Sequence, residues 1–162
     1  MKKKKGAPSL DDYHLLEVAG HLMRRGQQRA AEFYMHEVGE DGPTPRQFAV
    51  LITVGQNPGI NQTGLVNITG IDRSTIGELL GRLTRHGWLR RRRTTTDARS
   101  NALYVTAAGR AVVEETIPKA LIGQRKIVAS IPVERRAEFL KYLRLFAGLS
   151  LPDRSDTKAD PE

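Results

Sequence analysis

Apolar residues recur at helical spacing in several stretches of this chain, and short polar or glycine-rich segments separate those stretches. The clearest one lies between Asp72 and Arg85, where bulky apolar residues follow one another at three- and four-residue intervals, which predicts a helix with one buried face. Asp72 suits the N-cap, because its side chain can accept a hydrogen bond from a free backbone N–H of the first turn. The apolar positions are Ile76, Leu79, Leu80 and Leu83.

The opposite face of this predicted helix is small, polar and basic, which is the chemistry required to enter a DNA major groove. We expect Arg73, Ser74 and Thr75 to reach base edges from the start of the helix. A role of Thr75 in capping or packing is the alternative. Farther along, Arg82 and Arg85 are better suited to contact phosphates than to read bases. The outer face comprises Arg73, Ser74, Thr75, Gly77, Gly81, Arg82 and Arg85.

A second helical pattern precedes this helix, and a glycine-containing turn joins the two. Asn61 can cap the earlier helix, and Gly70 follows its last residues, where a left-handed backbone is accessible mainly to glycine. Two helices joined by a short glycine turn form the outline of a helix-turn-helix. The apolar positions of the earlier helix are Leu65, Val66 and Ile68.

A basic hairpin is predicted directly after the helix-turn-helix. Residues 88–89 and 103–105 are short β-prone runs with polar turn residues between them, which makes the motif a winged one. Side chains alternate across a strand, so only some of the four arginines at 90–93 can face DNA. We assign that role to Arg91 and Arg93.

Several short motifs within residues 59–110 form a set that resembles the core of MarR-family transcriptional regulators. The resemblance extends over roughly residues 10–149 when the flanking helices are included. The glycines at 77 and 81 depart from the family pattern, in which a long side chain is more usual. The matching motifs are Ser74-Thr75, Arg82-Leu83, the run from His86 to Arg91, Asp97 with Arg99, and Val105-Thr106 with Gly109.

The resemblance implies a homodimer, with helices from both termini intertwined, that binds double-stranded DNA. Such a dimer matches a palindromic operator with half-sites about one helical turn apart. The resemblance also implies that Arg99 enters the minor groove, where a narrow and strongly negative groove favours arginine. Asp97 is expected to orient an arginine or the turn; alternatively, both residues only shape the hairpin.

The flanking segments are predicted to be helical as well. Apolar residues from Leu10 to Val38 predict one helix about 40 Å long, part of which should pack on a partner subunit. Residues 44–47 form a capping box with proline at the first helical position. Thr106 can cap a helix that continues to about Ser130, with a kink expected at Pro118.

These patterns predict a mainly α fold with a small β-hairpin wing. A winged helix-turn-helix lobe is joined to a helical dimerisation layer built from both termini. A break at 131–132 precedes a final helix around Phe139. The predicted parts are a disordered basic tail at 1–9, an N-terminal dimerisation helix at 10–43, the DNA-binding lobe at 44–106, C-terminal dimerisation helices at 107–150 and a disordered tail at 151–162.

The location of positive charge agrees with the predicted DNA-binding surface. The chain has a formal net charge of +8, and residues 72–99 hold eight arginines against three acidic residues. Four lysines lie at 2–5, so the rest of the chain is close to neutral. An arginine run is often only a solvated face, but its coincidence with a winged motif favours nucleic acid.

Other classes of function lack support in the sequence. There is no cysteine, and the four histidines are scattered, so neither thiol chemistry, a metal site nor a cofactor is predicted. No catalytic motif is present, which argues against an enzyme. The chain start lacks the apolar stretch of a secretory signal, and no apolar run approaches the roughly 18 residues that cross a membrane, so we expect a cytoplasmic protein.

The resemblance further implies a small effector, often aromatic or phenolic, between the dimerisation layer and the DNA-binding lobe. Side chains for aromatic stacking and anion pairing lie on the first helix, and a surface or dimer-contact role is the alternative for each. An aromatic acid or an aromatic acyl-CoA is the expected effector. The candidate residues are Tyr13, Arg24, Arg25, Tyr34 and His36.

The sequence therefore predicts a homodimeric, sequence-specific transcriptional regulator, with repression relieved by the effector as the default sense. A winged-helix protein that binds RNA or a protein partner is one alternative. A sequence-independent architectural DNA-binding protein is another. Salt dependence would not separate them, because phosphate neutralisation produces it in every nucleic-acid complex.

Overall fold

A computed structural model describes residues 9–93 and 101–150 and confirms the predicted fold class. Within these ranges the chain is mainly helical, with one two-stranded antiparallel sheet. Two compact units are present; the first ends at Gln124 and the second begins at Arg125. In chain order, the elements are 3₁₀ turns at Leu10–Asp12 and Leu15–Glu17, α1 (Ala19–Val38), α2 (Pro45–Gln56), α3 (Gln62–Thr69), α4 (Arg73–Arg85), β1 (Leu89–Arg93), β2 (Asn101–Val105), α5 (Ala107–Val128) and α6 (Val133–Phe146).

Side-chain caps fix the starts of α2 and α3 as the sequence predicts. The capping box at α2 is complete, with the Gln47 N–H 3.3 Å from Thr44 Oγ1 and the Thr44 N–H 2.8 Å from Gln47 Oε1. Asn61 caps α3 by accepting from the Gly64 N–H at 2.9 Å. Gly70 ends α3 in the left-handed conformation, with φ +67°. Local chemistry therefore determines the helix-turn-helix geometry.

The core of the lobe is formed by α2, α3, α4 and the wing. All four predicted apolar positions of α4 are buried, and they pack with residues of the neighbouring elements. Burying each leucine or isoleucine contributes about 2 kcal/mol or more from the hydrophobic effect. The remaining members of the cluster are Val50, Leu51, Val54, Leu65, Leu89 and Leu103.

The root of the wing is joined to the start of α5. Thr106 caps α5 by accepting from the Gly109 N–H at 3.0 Å, and its hydroxyl donates to the Gly87 carbonyl oxygen at 2.6 Å. A Cβ at Gly109 would lie 2.1 Å from the Trp88 carbonyl oxygen, so only glycine fits this crossing. The exit of α4, the wing and α5 therefore meet at one tightly packed joint.

The prediction of one continuous helix from Leu10 to Val38 was wrong. The α-helix begins at Ala19, has 20 residues and is about 30 Å long. Two separate 3₁₀ turns precede it, and Tyr13, His14 and Val18 adopt extended backbone conformations. Apolar spacing cannot distinguish a helix from successive short turns, and the bonds that the N–H and hydroxyl of Ser9 donate to the Asp12 carboxylate close one such turn on its own.

The C-terminal helices follow the predicted order. α5 continues as one helix across Pro118, and it ends at Val128, two residues before the predicted end at Ser130. The predicted break at 131–132 separates it from α6, which ends at Phe146. Several apolar side chains of α6 and of the segment after it are about half exposed or more, and none of the α6 residues is buried.

Candidate nucleic-acid interface

The first turn of α4 is organised by the Asp72 carboxylate. It accepts the Thr75 N–H at 2.9 Å as a helix cap, and also the hydroxyls of Ser74 at 2.6 Å and Thr75 at 2.7 Å. The bond from Ser74, followed by those from Thr75, lowers the pKa of Asp72 well below its usual range. Asp72 is therefore ionised at neutral pH, and both hydroxyls point their hydrogens at it.

Arg73 connects the starts of α3 and α4. Its exposed guanidinium is 3.3 Å from the Thr63 hydroxyl, and its carbonyl oxygen accepts from the Gln62 side chain at 3.0 Å. The first turns of the two helices of the motif therefore lie side by side. The sequence interpretation missed Gln62 and Thr63, although their position directly after the Asn61 cap is the signal that could have found them.

The middle of the outer face of α4 is flat. A Cβ at Gly77 would lie 3.5 Å from the Gln62 Nε2 atom, and a Cβ at Gly81 would lie 3.7 Å from the Arg85 Nη1 atom, so both sites have room for a methyl group. Arg82 is 3.7 Å from Glu78, and both side chains are exposed. Such a pair contributes little to stability and leaves the guanidinium accessible.

The wing places its arginines on two faces of the sheet. Residue 89 pairs with 105 and residue 91 with 103, so by alternation Arg91 and Arg93 share the side of buried Leu89. Arg90 lies on the other side, with its guanidinium carbon 4.9 Å from the centre of the Tyr104 ring. All four arginines of β1 are exposed. The two predicted contacts, Arg91 and Arg93, therefore share one face.

An apolar cavity of about 360 Å³ lies between α1, α2 and α5. Tyr34 is at its wall, buried, with its hydroxyl donating to the Pro43 carbonyl oxygen at 3.0 Å. Its ring centre is 5.9 Å from that of Phe48, and burial raises the pKa of the phenol. The volume is within the range of small-molecule sites. The lining residues are Tyr34, Pro45, Phe48, Ala49, Ile52, Ile117, Ala120, Leu121 and Gln124.

Comparison with known proteins gives the family. A MarR family profile matches residues 41–100. The PcaV transcriptional regulator of Streptomyces coelicolor, solved with its natural ligand, is 31% identical, with 84% of this chain and 96% of PcaV covered and a TM-score of 0.78. The chain belongs to the MarR family. It is thus a winged helix-turn-helix transcriptional regulator that binds DNA, and not an enzyme.

Two further solved structures are similar to this chain over almost their whole length. The repressor CouR, bound to a 23-mer DNA duplex, is 30% identical, with 86% of this chain and 99% of CouR covered and a TM-score of 0.75. BpsR of Bordetella bronchiseptica, whose DNA binding is regulated by 6-hydroxynicotinic acid, is 26% identical, with 84% and 98% covered and a TM-score of 0.78.

The MarR-family structure does not bring the predicted effector residues together. Only Tyr34 lines the cavity between α1, α2 and α5. Arg24 and Arg25 line an open groove of about 480 Å³ on the surface of α1. His36 is exposed and 2.8 Å from Glu37, and Tyr13 is exposed between the two 3₁₀ turns.

A second cavity of about 250 Å³ adjoins the first in this MarR-family lobe. The two share Ile52 and Ile117, and the smaller one also contacts Val105 at the root of the wing. Arg110 and Glu114 of α5 supply charged groups to its lining. Sequence patterns did not indicate either cavity, because their walls come from segments far apart in the chain.

The structure describes only part of the predicted wing. Asp97 and Arg99 lie outside the described residues, so their roles remain predictions. Among residues 9–93 and 101–150, no three His, Asp or Glu side chains are grouped as a metal site would require. No helix in the same ranges is both long and apolar enough to cross a membrane.

Proposed function

We propose that this protein is a homodimeric, sequence-specific repressor that is released from its operator by a small aromatic effector, an aromatic acid or an aromatic acyl-CoA. The observation that carries the proposal is the position of α2 between the apolar cavity and the core of the DNA-binding lobe. Phe48, Ala49 and Ile52 line the cavity, whereas Val50, Leu51 and Val54 pack in the core with α4. A ligand in the cavity is thus one helix away from α4, the recognition helix that we expect to enter the major groove.

The chemistry of the cavity supports an effector with an aromatic ring. Its walls are aliphatic and aromatic, and the Tyr34 hydroxyl is already bonded to Pro43. Gln124 is the lining side chain best able to meet a polar group of the ligand, because an amide both donates and accepts. The regulation of BpsR by 6-hydroxynicotinic acid is a precedent for a ligand of this size.

Release of the repressor from its operator then follows from thermodynamic linkage between effector binding and DNA binding. An effector that binds more tightly to a conformer with misplaced recognition helices lowers operator affinity by the difference between its two binding free energies. CouR, named as a repressor and solved on DNA, supports this sense of regulation.

Exposed apolar side chains support the homodimer. In the first unit, Leu10 is 90% exposed and Leu16 65% exposed. In the second unit, Phe146 is 70% exposed, and Leu140, Leu145 and Leu149 are about half exposed. Large apolar groups in this number are normally covered by a partner. A two-fold dimer would present two copies of α4 to a palindrome.

Selection of bound sequences from random duplex DNA at near-physiological salt tests the DNA-binding part. We expect a palindrome with half-sites about one helical turn apart. Binding without any consensus would instead favour the architectural hypothesis, and a preference for RNA in competition would favour the RNA-binding one.

Filling the cavity tests the effector part. Ala49→Phe should abolish the thermal shift given by an active compound and leave operator affinity within about twofold, because Ala49 lines the cavity and not the outer face of α4. Ala49→Ser is the matched control and should keep the response. The compounds are hydroxybenzoates, hydroxycinnamates, hydroxynicotinates and their CoA esters. Absence of any shift in the wild-type protein would remove this class of effector.

A further inference from the structure

The Asp72 side chain makes more hydrogen bonds than a helix cap requires. One bond, from the Thr75 N–H at 2.9 Å, already caps α4. Asn61 caps the neighbouring helix α3 with one such bond, from the Gly64 N–H. The two hydroxyl contacts, from Ser74 at 2.6 Å and Thr75 at 2.7 Å, are additional.

These contacts determine the direction in which each hydroxyl can form a further bond. A hydroxyl has one hydrogen and two lone pairs, and an ionised carboxylate can only accept. While Ser74 and Thr75 donate to Asp72, their oxygens offer only lone pairs to any other partner. A serine or threonine without such a neighbour can rotate its hydrogen and bond to either a donor or an acceptor.

The bases differ in what they offer to an oxygen of this kind. In the major groove, adenine N6 and cytosine N4 carry hydrogens, whereas guanine N7 and O6 and thymine O4 are acceptors. Phosphate oxygens are acceptors as well. An acceptor-only hydroxyl can therefore bond to the amino groups of adenine and cytosine, but not to guanine, thymine or the phosphate backbone.

We propose that Asp72 sets the base preference of α4 by fixing the hydroxyls of Ser74 and Thr75 as acceptors for the amino groups of adenine or cytosine. Asp72 is thus a positioning residue for sequence readout as well as a helix cap. The inference rests on the proposed sequence-specific binding of DNA by α4. It assigns the chemical class of base at the positions that these two side chains meet.

The test compares consensus sequences selected from random duplex DNA by four proteins: the wild type, Ser74→Ala, Thr75→Val and Asp72→Asn. The Ser74→Ala and Thr75→Val proteins each lack one hydroxyl, so the operator position whose preference they lose is the position that the hydroxyl reads. Every base pair carries one such amino group, in adenine or in cytosine, so the contact is tested by replacing that base of a mapped pair with an analogue that lacks the amino group. We expect the analogue to weaken operator binding by the wild type but not by the variant that lacks the hydroxyl. Unchanged binding by the wild type would contradict the proposal.

Asp72→Asn is the decisive variant, because asparagine caps helices as well as aspartate does but replaces one acceptor oxygen by an NH₂ donor. One hydroxyl then accepts from the amide, and its hydrogen is free to bond to guanine or thymine. We expect discrimination against those bases to fall by roughly tenfold at one of the mapped positions, equivalent to about one hydrogen bond. Asparagine keeps the cap but loses the stabilisation that the ionised carboxylate gains from both hydroxyls, so the midpoint of thermal unfolding should fall below that of the wild type while the protein stays folded at the temperature of the selection.

The outcomes separate this inference from the function on which it rests. If the wild type selects no consensus, sequence-specific binding itself fails. If it selects one that neither hydroxyl deletion changes, or one that Asp72→Asn leaves unaltered, only the role of Asp72 in readout is overturned. A consensus that changes only at a mapped position, in a variant that thermal unfolding shows to be folded during the selection, supports that role, because a purely structural cap would not alter base preference at one position.

Discussion

Single residues on α4 differ in how much of their charge is available to DNA. Arg82 lies near the Glu78 carboxylate, whereas Arg85 has no acidic partner among the described residues. Both follow the part of the helix that we expect to contact bases. Their contribution should therefore be to affinity rather than to sequence preference.

Arg85→Ala is expected to weaken binding about equally for operator and random duplexes and to reduce the slope of log affinity against log salt by about one, because one phosphate contact is lost. Arg82→Ala should give a smaller loss, since Glu78 already offsets part of its charge. Fluorescence anisotropy over a salt series measures both. A loss confined to the operator duplex would mean that Arg85 reads a base.

Asp72 should also leave a signature in the pH dependence of stability. Its pKa is lowered in the folded protein, so below the ordinary aspartate range the unfolded state binds more protons than the folded state. The stabilisation is therefore fully present at neutral pH and is lost as the pH falls below about 5 towards the lowered pKa. The difference in unfolding free energy between wild type and Asp72→Asn should be constant from pH 7 to about pH 5 and should shrink between about pH 5 and pH 2. A difference that disappears near pH 6 would show that another group is responsible.

At the scale of elements, the two interior glycines of α4 lower the stability of the helix but keep the middle of its outer face free of side chains. Glycine in a helix interior lowers stability by roughly 0.5–1 kcal/mol relative to alanine, and α4 has two such glycines. The structure leaves room for a methyl group at both. Their presence is consistent with a helix that must approach another surface closely.

Gly81→Ala should stabilise the protein by up to about 1 kcal/mol and weaken operator binding, because the methyl group lies on the outer face of α4. Gly26→Ala is the matched control: Gly26 is inside α1, and nothing lies within 4 Å of the position of its Cβ. The control should gain similar stability without a change in operator affinity. Thermal unfolding and anisotropy measure the two effects, and unchanged affinity of Gly81→Ala would show that this face does not approach DNA closely.

The elements also show how far the sequence could predict this structure. The caps at Thr44, Asn61 and Asp72 and the turn at Gly70 were predictable because each depends on a few adjacent residues. The N-terminal helix was predicted too long, because apolar spacing carries no information about the extended backbone at Val18. The resemblance to the MarR family implied an effector between the dimerisation helices and the lobe, but the residues that line the cavity were beyond prediction, since they depend on how α1, α2 and α5 pack.

At the scale of the whole molecule, the exposed apolar side chains of α6 should bind a second copy of the chain. Phe146→Glu is expected to shift the protein towards monomer, because the association would bury a charge without a partner. Ala137→Glu, which adds the same charge at an exposed position of α6, is the control. Light scattering at micromolar concentration measures the mass. A wild-type monomer would contradict the homodimer, and a dimeric Phe146→Glu variant would exclude Phe146 from its interface.

The contacts of Thr106 and Gly109 couple movements of α5 to the DNA-binding lobe. The Thr106 hydroxyl bonds to the Gly87 carbonyl oxygen, and Gly109 packs tightly against Trp88. Both contacts attach the first turn of α5 to the residues that follow α4. Ile117, at the wall of both cavities, is eleven residues further on, about 16 Å along the helix axis. A ligand that contacts Ile117 and tilts α5 slightly would therefore rotate the residues that follow α4. The wing, which is attached at the same point, would move with them.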